Sequence, residues 1–347
     1  MGAAKAGNRI AALPWRCHVV WYYAFAELCG KPLVATCEAG IDGQDFRLFR
    51  GGPFLVCILA PAASAEDGRR TLGIVRLFTN DSIADRQDRW RSGAFGISAF
   101  RGAIWTGRLP SHPFAVMEYR LRGEVIAPSN MNKPNPNDRL YAGTWWLGAH
   151  THFDWHGVEV TAGADIAVTG EQSGIRRLQS DIHDALSMPR MNIGPHQVDE
   201  GVYLHGTLEL ARSMSWQRGE FRPFLELQNG VETLARAGFD LTIGSLGRDG
   251  LRSRDPITGQ RLEGIVGDTR SGWSLLLGAD IAAVERSVFL PEDRGYQLEE
   301  LRHRLRTGVN YGFGDGNIFY GVTYMSEEFV GQHEGQVVGS LSLGLRF

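Results

Sequence analysis

The chain has 347 residues, 44 of them glycine, and a formal net charge of -3 at pH 7. A mean hydropathy of -0.19 and the lack of any run of about 18 apolar residues exclude a helical membrane protein, but not a barrel whose strands are only half apolar. The mildly acidic charge gives no reason to expect a nucleic-acid-binding protein. Frequent short alternating runs favour one β domain.

The N-terminal part of the chain is predicted to be absent from the exported protein. Residues 47–65 combine two arginines, an apolar core and the small-residue triplet ASA, which is typical of a secretory signal peptide. A buried strand is the alternative. Residues 1–46 would be an upstream extension produced by a start codon assigned too early. All four cysteines lie before residue 58, so the predicted mature barrel domain, 66–347, contains none.

Twelve segments alternate between apolar and polar residues with period two, which predicts twelve strands. They are 71–80, 92–102, 113–126, 140–153, 157–169, 201–212, 220–230, 234–246, 271–285, 302–313, 317–328 and 336–347. Residues 175–186 predict a short helix. Such strands are longer than the usual soluble strand of about five or six residues and suit a tilted membrane-spanning strand.

The last strand ends on Phe347, which shares the apolar face and looks like the C-terminal strand of bacterial outer-membrane barrels. The predicted fold is therefore all-β, a twelve-stranded antiparallel transmembrane β-barrel of the bacterial outer membrane. A large secreted β-sandwich is the alternative.

Two strands carry notable polar faces. His150, His152 and Asp154 alternate along one strand, which suits either a zinc site or the lining of a lumen, and we favour the lining. The strand 113–126 places four charges on one face, and these need water or mutual pairing. They are Glu118, Arg120, Arg122 and Glu124.

The order of the strands predicts which connections meet. If both termini face the periplasm, the connections 81–91, 127–139 and 170–200 share the outer end of the barrel. One segment conflicts with this topology. Residues 247–270 would form a long periplasmic connection, where turns are usually short.

The first outer connection contains candidate ligands for a hard cation. Asn80 and Asp81 offer the oxygen atoms that calcium prefers, although the same pair is typical of an Asx turn that ends a strand. Ser92 lies across that turn and is either a third member of the site or an ordinary strand residue.

The other two outer connections contribute a charge and a base. Lys133 is the only lysine after residue 31, so a compact positive charge is needed there, unless the arginine-rich usage only reflects composition. His183 lies in the predicted helix and is either a structural histidine or a base that works near neutral pH. A base, a cation site and a fixed positive charge together predict hydrolysis.

At these residues the sequence resembles a family, the lipid A 3′-O-deacylases of Gram-negative outer membranes. The matching pieces are Asn80-Asp81, Asp88-Arg89-Trp90-Arg91-Ser92, Ala127-Pro128-Ser129 with Asn132-Lys133, Asp138-Arg139-Leu140-Tyr141-Ala142-Gly143, and Gly170, Gln179 and Gln197 at the family spacing to His183. The similarity spans most of 71–212 and continues weakly to the C-terminus.

The resemblance implies a calcium-dependent carboxylic ester hydrolase in a twelve-stranded barrel, which removes the 3′-linked acyloxyacyl group of lipid A. It implies that His183 is the general base for a water nucleophile. Asn80, Asp81 and Ser92 would belong to the calcium-linked part of the site, and Lys133 would stabilise the oxyanion. We expect a membrane-embedded monomer whose partner is lipid A or lipopolysaccharide of the outer leaflet.

The sequence departs from the family at one position. The family has a glutamate six residues after the histidine, where this chain has Pro189. Asp184, Asp199 or Glu200 are candidates to replace it.

Two other functions stay open. An outer-membrane phospholipase A type of serine esterase would use Ser92 as nucleophile and His183 as its base. A structural or pore-like barrel would have no chemistry, although twelve strands make a narrow barrel that inward-facing charges would fill.

Overall fold

The computed structural model describes residues 68–185, 187, 190–244, 249–267, 271–314 and 316–346. The predicted upstream extension and signal peptide, the four cysteines, Pro189 and Phe347 lie outside the described residues. The strands in chain order are β1 (Arg70–Asn80), β2 (Trp90–Gly102), β3 (Val116–Ala127), β4 (Ala142–Trp155), β5 (Val158–Thr169), β6 (Gly201–Ala211), β7 (Met214–Trp216), β8 (Gly219–Asn229), β9 (Glu232–Gly244), β10 (Leu251–Arg254), β11 (Arg261–Ile265), β12 (Gly272–Ser287), β13 (Leu301–Phe313), β14 (Gly316–Met325) and β15 (Gln336–Arg346). One α-helix, α1 (Ile175–Ala185), and single 3₁₀ turns at Glu171–Ser173 and Glu292–Arg294 complete the described elements.

Twelve of these strands form a closed antiparallel barrel, which confirms the predicted fold. Strands β7, β10 and β11 are not part of the barrel wall. In the wall, β6 therefore pairs directly with β8, and β9 pairs with β12. The first and last strands close the ring, with Gly73 opposite Arg346 and Asn80 opposite Gly339. We call the end opposite to the barrel's two termini the outer end. The strands of the wall have 10 to 16 residues, as expected for spanning strands.

The wall is apolar outside and polar inside. On β4, Leu147 is 61% exposed, whereas Trp146, one residue earlier, is only 5% exposed. The most exposed large apolar side chains include Leu204 at 72% and Trp273 at 67%. This distribution of exposed apolar side chains is the inverse of that in a soluble protein and identifies a barrel with lipid outside. The chain is an integral outer-membrane barrel.

No helix among the described residues combines the length and the apolar character needed to cross a bilayer.

The charges inside the wall are paired. Arg120 donates to Glu118 over 2.7 Å, and Arg122 lies 3.9 Å from Glu124, so neighbours on one strand face neutralise each other. His152 Nε2 lies 2.8 Å from the carboxylate of Glu118.

The histidines of β4 line the lumen and do not form a zinc site. His150 is buried and lies 3.0 Å from Asp165, whereas Asp154 accepts a hydrogen bond from the N–H of Gly157 in the following turn. Within the described part of the chain, no group of three or more His, Cys, Asp or Glu side chains could hold a metal ion. The zinc alternative is therefore wrong for these described positions.

The long connection between β9 and β12 folds back into the lumen. Strands β10 and β11 form an antiparallel hairpin, and we call residues 249–267 the lumen hairpin. Glycines allow it to touch the wall, since a Cβ at Gly73 would collide with the carbonyl of Gly264. Arg254 anchors the hairpin by donating to Glu209 over 2.5 Å and to Asp240 over 2.7 Å. The connection thus fills the barrel, which resolves the conflict with short periplasmic turns.

Candidate functional site

The three polar connections of the first six strands meet at the outer end. They are 81–89, 128–141 and 170–200. The indole N–H of Trp90, next to the first connection, donates to Asp138 in the second over 3.2 Å. In the second connection, the hydroxyl of Tyr141 donates to Gln179 in the third over 2.9 Å. The three connections, which carry or adjoin the predicted site residues, therefore lie on one part of the rim.

Helix α1 presents one face to this rim. Ile175, Gln179 and His183 are spaced by four residues, which places them in line along the helix. Gly143 allows the close approach, because a Cβ at that position would lie only 2.8 Å from the Cβ of Ile175. His183 is consequently buried at 5% exposure, whereas its neighbour Asp184 is exposed.

Asp88 links His183 to Ser92. The Ser92 hydroxyl donates to Asp88 Oδ1 over 2.5 Å, and Asp88 Oδ2 lies 4.0 Å from His183 Nε2. Ser92 itself is 3% exposed. The aspartate is therefore the central member of the three, because its carboxylate accepts a hydrogen bond from the serine and faces the imidazole.

Asp81 is a fully buried carboxylate with an unsatisfied oxygen. Its Oδ2 accepts the backbone N–H of Arg89 over 2.8 Å, whereas Oδ1 has no hydrogen-bond partner. Burial raises the pKa of Asp81 to about 7, with smaller raising effects from the negative charges of Asp88 and Asp85 and a lowering effect from the N–H of Arg89. A buried acid with acidic neighbours and an orphaned oxygen fits a positively charged ligand.

A calcium ion fits Asp81 better than it fits Asn80. The amide oxygen of Asn80 accepts the backbone N–H of Ser82 over 2.7 Å, which is the Asx turn of the simpler interpretation. Calcium also accepts hydroxyl, backbone and water oxygens, so the few acidic side chains among the described residues do not exclude it. Asp81 would supply its anionic ligand, with Ser92 and Asp88 nearby.

The candidates to replace the family glutamate are all solvent-exposed. Asp184 and Glu200 lie on the surface, and Asp199 lies 3.7 Å from Arg294 with its side chain 87% exposed. None of these three has the burial of Asp81. Pro189 itself lies outside the described residues.

Lys133 lies on the connection that packs against α1. Its backbone N–H donates to Asn130 Oδ1 over 2.9 Å, and its side chain is exposed. Two residues earlier, the sulfur of Met131 accepts a hydrogen bond from Gln179 over 3.6 Å, one helical turn before His183. The lysine is thus held on the same part of the rim as the histidine.

Sequence reasoning missed an ion network beneath the rim. Arg91 lies 2.7 Å from Glu124 and 2.9 Å from Glu328, and Arg139 also pairs with Glu328. The network joins the first and second connections to the segment before β15. Arg91 and Arg139 stand within the motifs quoted above, but Glu328 follows them by 237 and 189 residues, and no local pattern indicates that pairing.

Comparisons with known proteins agree with this architecture. The model of a family described as outer membrane protein LpxR matches residues 53–347. Among solved structures, LpxR from Salmonella typhimurium has a TM-score of 0.65 and 13% identity, covering 79% of this chain and 100% of that chain.

More distant barrels are also found. A KdgM porin, with 6% identity and a TM-score of 0.38, covers 80% of this chain and 99% of that chain. The translocator domain of the autotransporter NalP from Neisseria meningitidis, with 11% identity and a TM-score of 0.38, covers 80% and 89%. These two scores are too low to carry an argument. No curated protein matches.

Proposed function

Because the chain belongs to the LpxR family of outer-membrane proteins, we propose that it hydrolyses the ester of the 3′-linked acyloxyacyl group of lipid A at the outer rim of its barrel. One observation supports this chemistry most directly. His183 is held beside Asp88 by a helix that packs on the rim, where the outer leaflet meets the connections. A base at the rim would therefore lie within reach of the ester of a lipid in the outer leaflet.

The base would activate a water molecule. His183 removes a proton from the water as the oxygen attacks the acyl carbonyl, and it returns that proton to the sugar oxygen when the ester bond breaks. Asp88 stabilises the protonated imidazole during this interval, and Ser92 fixes Asp88 through its hydroxyl. Lys133, from the second connection, stabilises the negative charge that develops on the carbonyl oxygen.

Asp81 would hold a calcium ion, with Ser92 and Asp88 close to it. A bound calcium would supply positive charge near the scissile ester. The orphaned oxygen and the raised pKa of Asp81 support this assignment. Asn80 would shape the turn that holds Asp81 and would not bind the ion, because its amide oxygen already accepts a hydrogen bond from the N–H of Ser82.

The serine-esterase alternative receives less support. A nucleophilic serine passes its proton to the base, whereas the hydroxyl of Ser92 donates to Asp88. Ser92 is also buried, so an acyl carbonyl would have to displace its surroundings. A pore-like barrel is also less suitable, because the lumen hairpin and the paired charges occupy the interior.

Mass spectrometry of lipid A tests the proposal. Cells that express the chain should lose the 3′-linked acyl chains, and His183→Gln should abolish this change. His156→Gln, in the turn between β4 and β5 at the opposite end, is the matched control and should act like the wild type. Ser92→Ala should retain part of the activity. A covalent acyl group trapped on Ser92 would instead establish the serine mechanism, and altered phospholipids with unchanged lipid A would indicate a phospholipase.

A further inference from the structure

The segment that carries the acidic residues of the site has a strained backbone. Trp90 has a φ of 52°, in the left-handed region that bulky residues rarely adopt. The pairing of β2 with β3 is also irregular there, because the register shifts between Trp90 and Gly93. The peptide groups on either side of Trp90 therefore need partners other than a regular strand, and something must hold this conformation.

Gln336 supplies those partners from the other end of the chain. Its side chain lies at the start of β15 and is 2% exposed. The amide oxygen accepts the backbone N–H of Arg91 over 3.0 Å, and the amide nitrogen donates to the backbone carbonyl of Arg89 over 2.7 Å. A carboxamide offers the same donor and acceptor as a peptide group, so Gln336 replaces the missing strand neighbour on both sides of Trp90.

The same contacts reach the carboxylates of the site. The backbone N–H of Arg89 donates to Asp81 Oδ2, and the amide nitrogen of Gln336 lies 3.5 Å from that oxygen. The residue before Arg89 is Asp88, which binds Ser92 and faces His183. Fixing the peptide groups at 89 and 91 therefore fixes the positions of both aspartates.

We propose that Gln336 is a positioning residue, whose carboxamide holds the strained 89–91 segment so that Asp81 and Asp88 are kept in place for cation binding and for His183. Its effect on turnover rests on the proposed function, whereas its effect on the backbone does not. The geometry favours glutamine at this position, because glutamate would lose the donor to Arg89 and bring a second negative charge beside Asp81.

Gln332 provides a matched control. It lies four residues earlier in the same connection, and its side chain also bridges two backbone groups. Its amide oxygen accepts the N–H of Glu328 over 3.0 Å, and its amide nitrogen donates to the carbonyl of Glu334 over 3.0 Å. The side chains of Glu328 and Glu334 pair with Arg91 and Arg89, so Gln332→Met disturbs the side-chain pairs of the segment and leaves both backbone contacts of Gln336 in place.

The experiment compares Gln336→Met and Gln332→Met with the wild type as full chains in detergent. Hydrogen–deuterium exchange should show faster exchange of residues 81–92 in Gln336→Met, by about tenfold for the loss of one net hydrogen bond. Calcium affinity by calorimetry should fall by about the same factor, and kcat should fall while KM is retained. Gln332→Met keeps both contacts of Gln336 with the 89–91 segment and should change each of these quantities less than Gln336→Met does, whereas an equal change would overturn the inference.

A second substitution covers the case in which Gln336→Met does not assemble. Gln336→Glu has the same shape and keeps the acceptor for Arg91, and it should still lower kcat because the donor to Arg89 is lost. Unchanged exchange at 81–92 would overturn the inference, as would faster exchange with unaltered calcium affinity and kcat. A wild type that binds calcium but leaves lipid A intact would refute the proposed function, and calcium affinity would then decide the role of Gln336.

Discussion

The substitution Asp81→Asn should make the calcium-free protein more stable while it removes the function. The pKa of Asp81 is raised to about 7 from 3.8, chiefly by burial. Since one pKa unit corresponds to about 1.4 kcal/mol, ionising this group costs the fold up to about 4 kcal/mol above pH 7. Asparagine has a similar shape and no charge, so it avoids this cost.

The sign of the pH dependence follows from the raised pKa. Below about pH 4, Asp81 is neutral in both the folded and the unfolded wild type, and its ionisation has no effect on stability. As the pH rises toward 7, the unfolded chain gives up the proton more readily than the folded one, so the calcium-free wild type loses stability. Asp81→Asn should lack this loss between about pH 4 and pH 7.

Calcium should reverse the comparison. On the proposed function, the ion would bind the ionised wild type and stabilise it by mass action, whereas Asp81→Asn would lack the anionic ligand and should not respond. The assay is the temperature at which the barrel unfolds on a gel, measured at pH 5 and pH 8 with a chelator or with calcium. A variant that is less stable than the wild type at pH 8 with chelator, or that is still stabilised by calcium, would refute the reasoning.

Three further substitutions test other parts of the structure. Lys133→Met should lower kcat on the order of a hundred- to a thousandfold if the lysine stabilises the oxyanion, and a change in KM alone would contradict that role. Gly143→Val should push α1 away from the rim, so lipid A hydrolysis should fall while the barrel still migrates as a folded species on gels. Arg254→Met should leave buried carboxylates without their partner and destabilise the barrel by on the order of 3 kcal/mol, seen as a lower unfolding temperature, whereas an unaltered temperature would show that the lumen hairpin is not anchored there.

The wall of the barrel could be predicted from the sequence because its signal is local. Each spanning strand must alternate apolar and polar residues, and twelve such runs were found close to their observed bounds. The helix was also predicted, and its observed end at Ala185 differs by one residue. The lumen hairpin was missed, because its strands have only four and five residues and almost all of these residues are buried. Burial among charged partners leaves no alternation to detect.

The sequence predicted the residues of the candidate site but not the contacts between them. Asp81, Lys133 and His183 were predicted to lie at one end of the barrel. Each follows an odd-numbered predicted strand, and all such connections of an antiparallel barrel lie at the same end. The contacts that link Asp88 to His183, or Gln336 to Arg89, join residues that are far apart in the sequence. No periodicity encodes them, so they require coordinates. The quoted motif contains Asp88, but only the structure shows its contacts with Ser92 and His183.

The lumen hairpin has a consequence for the seam of the barrel and for how lipid reaches the rim. Strand β11 packs against β1 and β15, so the seam between the first and last strands is supported from within. Strands β1 and β15 come from opposite ends of the described chain, and the hairpin contacts both of them beside the seam that they close. The same support opposes separation of β1 from β15 in the finished protein. Lipids should consequently not pass sideways through the seam. In the proposed reaction, lipid A and the released acyloxyacyl acid should therefore travel over the outer edge, within the leaflet in which they are most soluble.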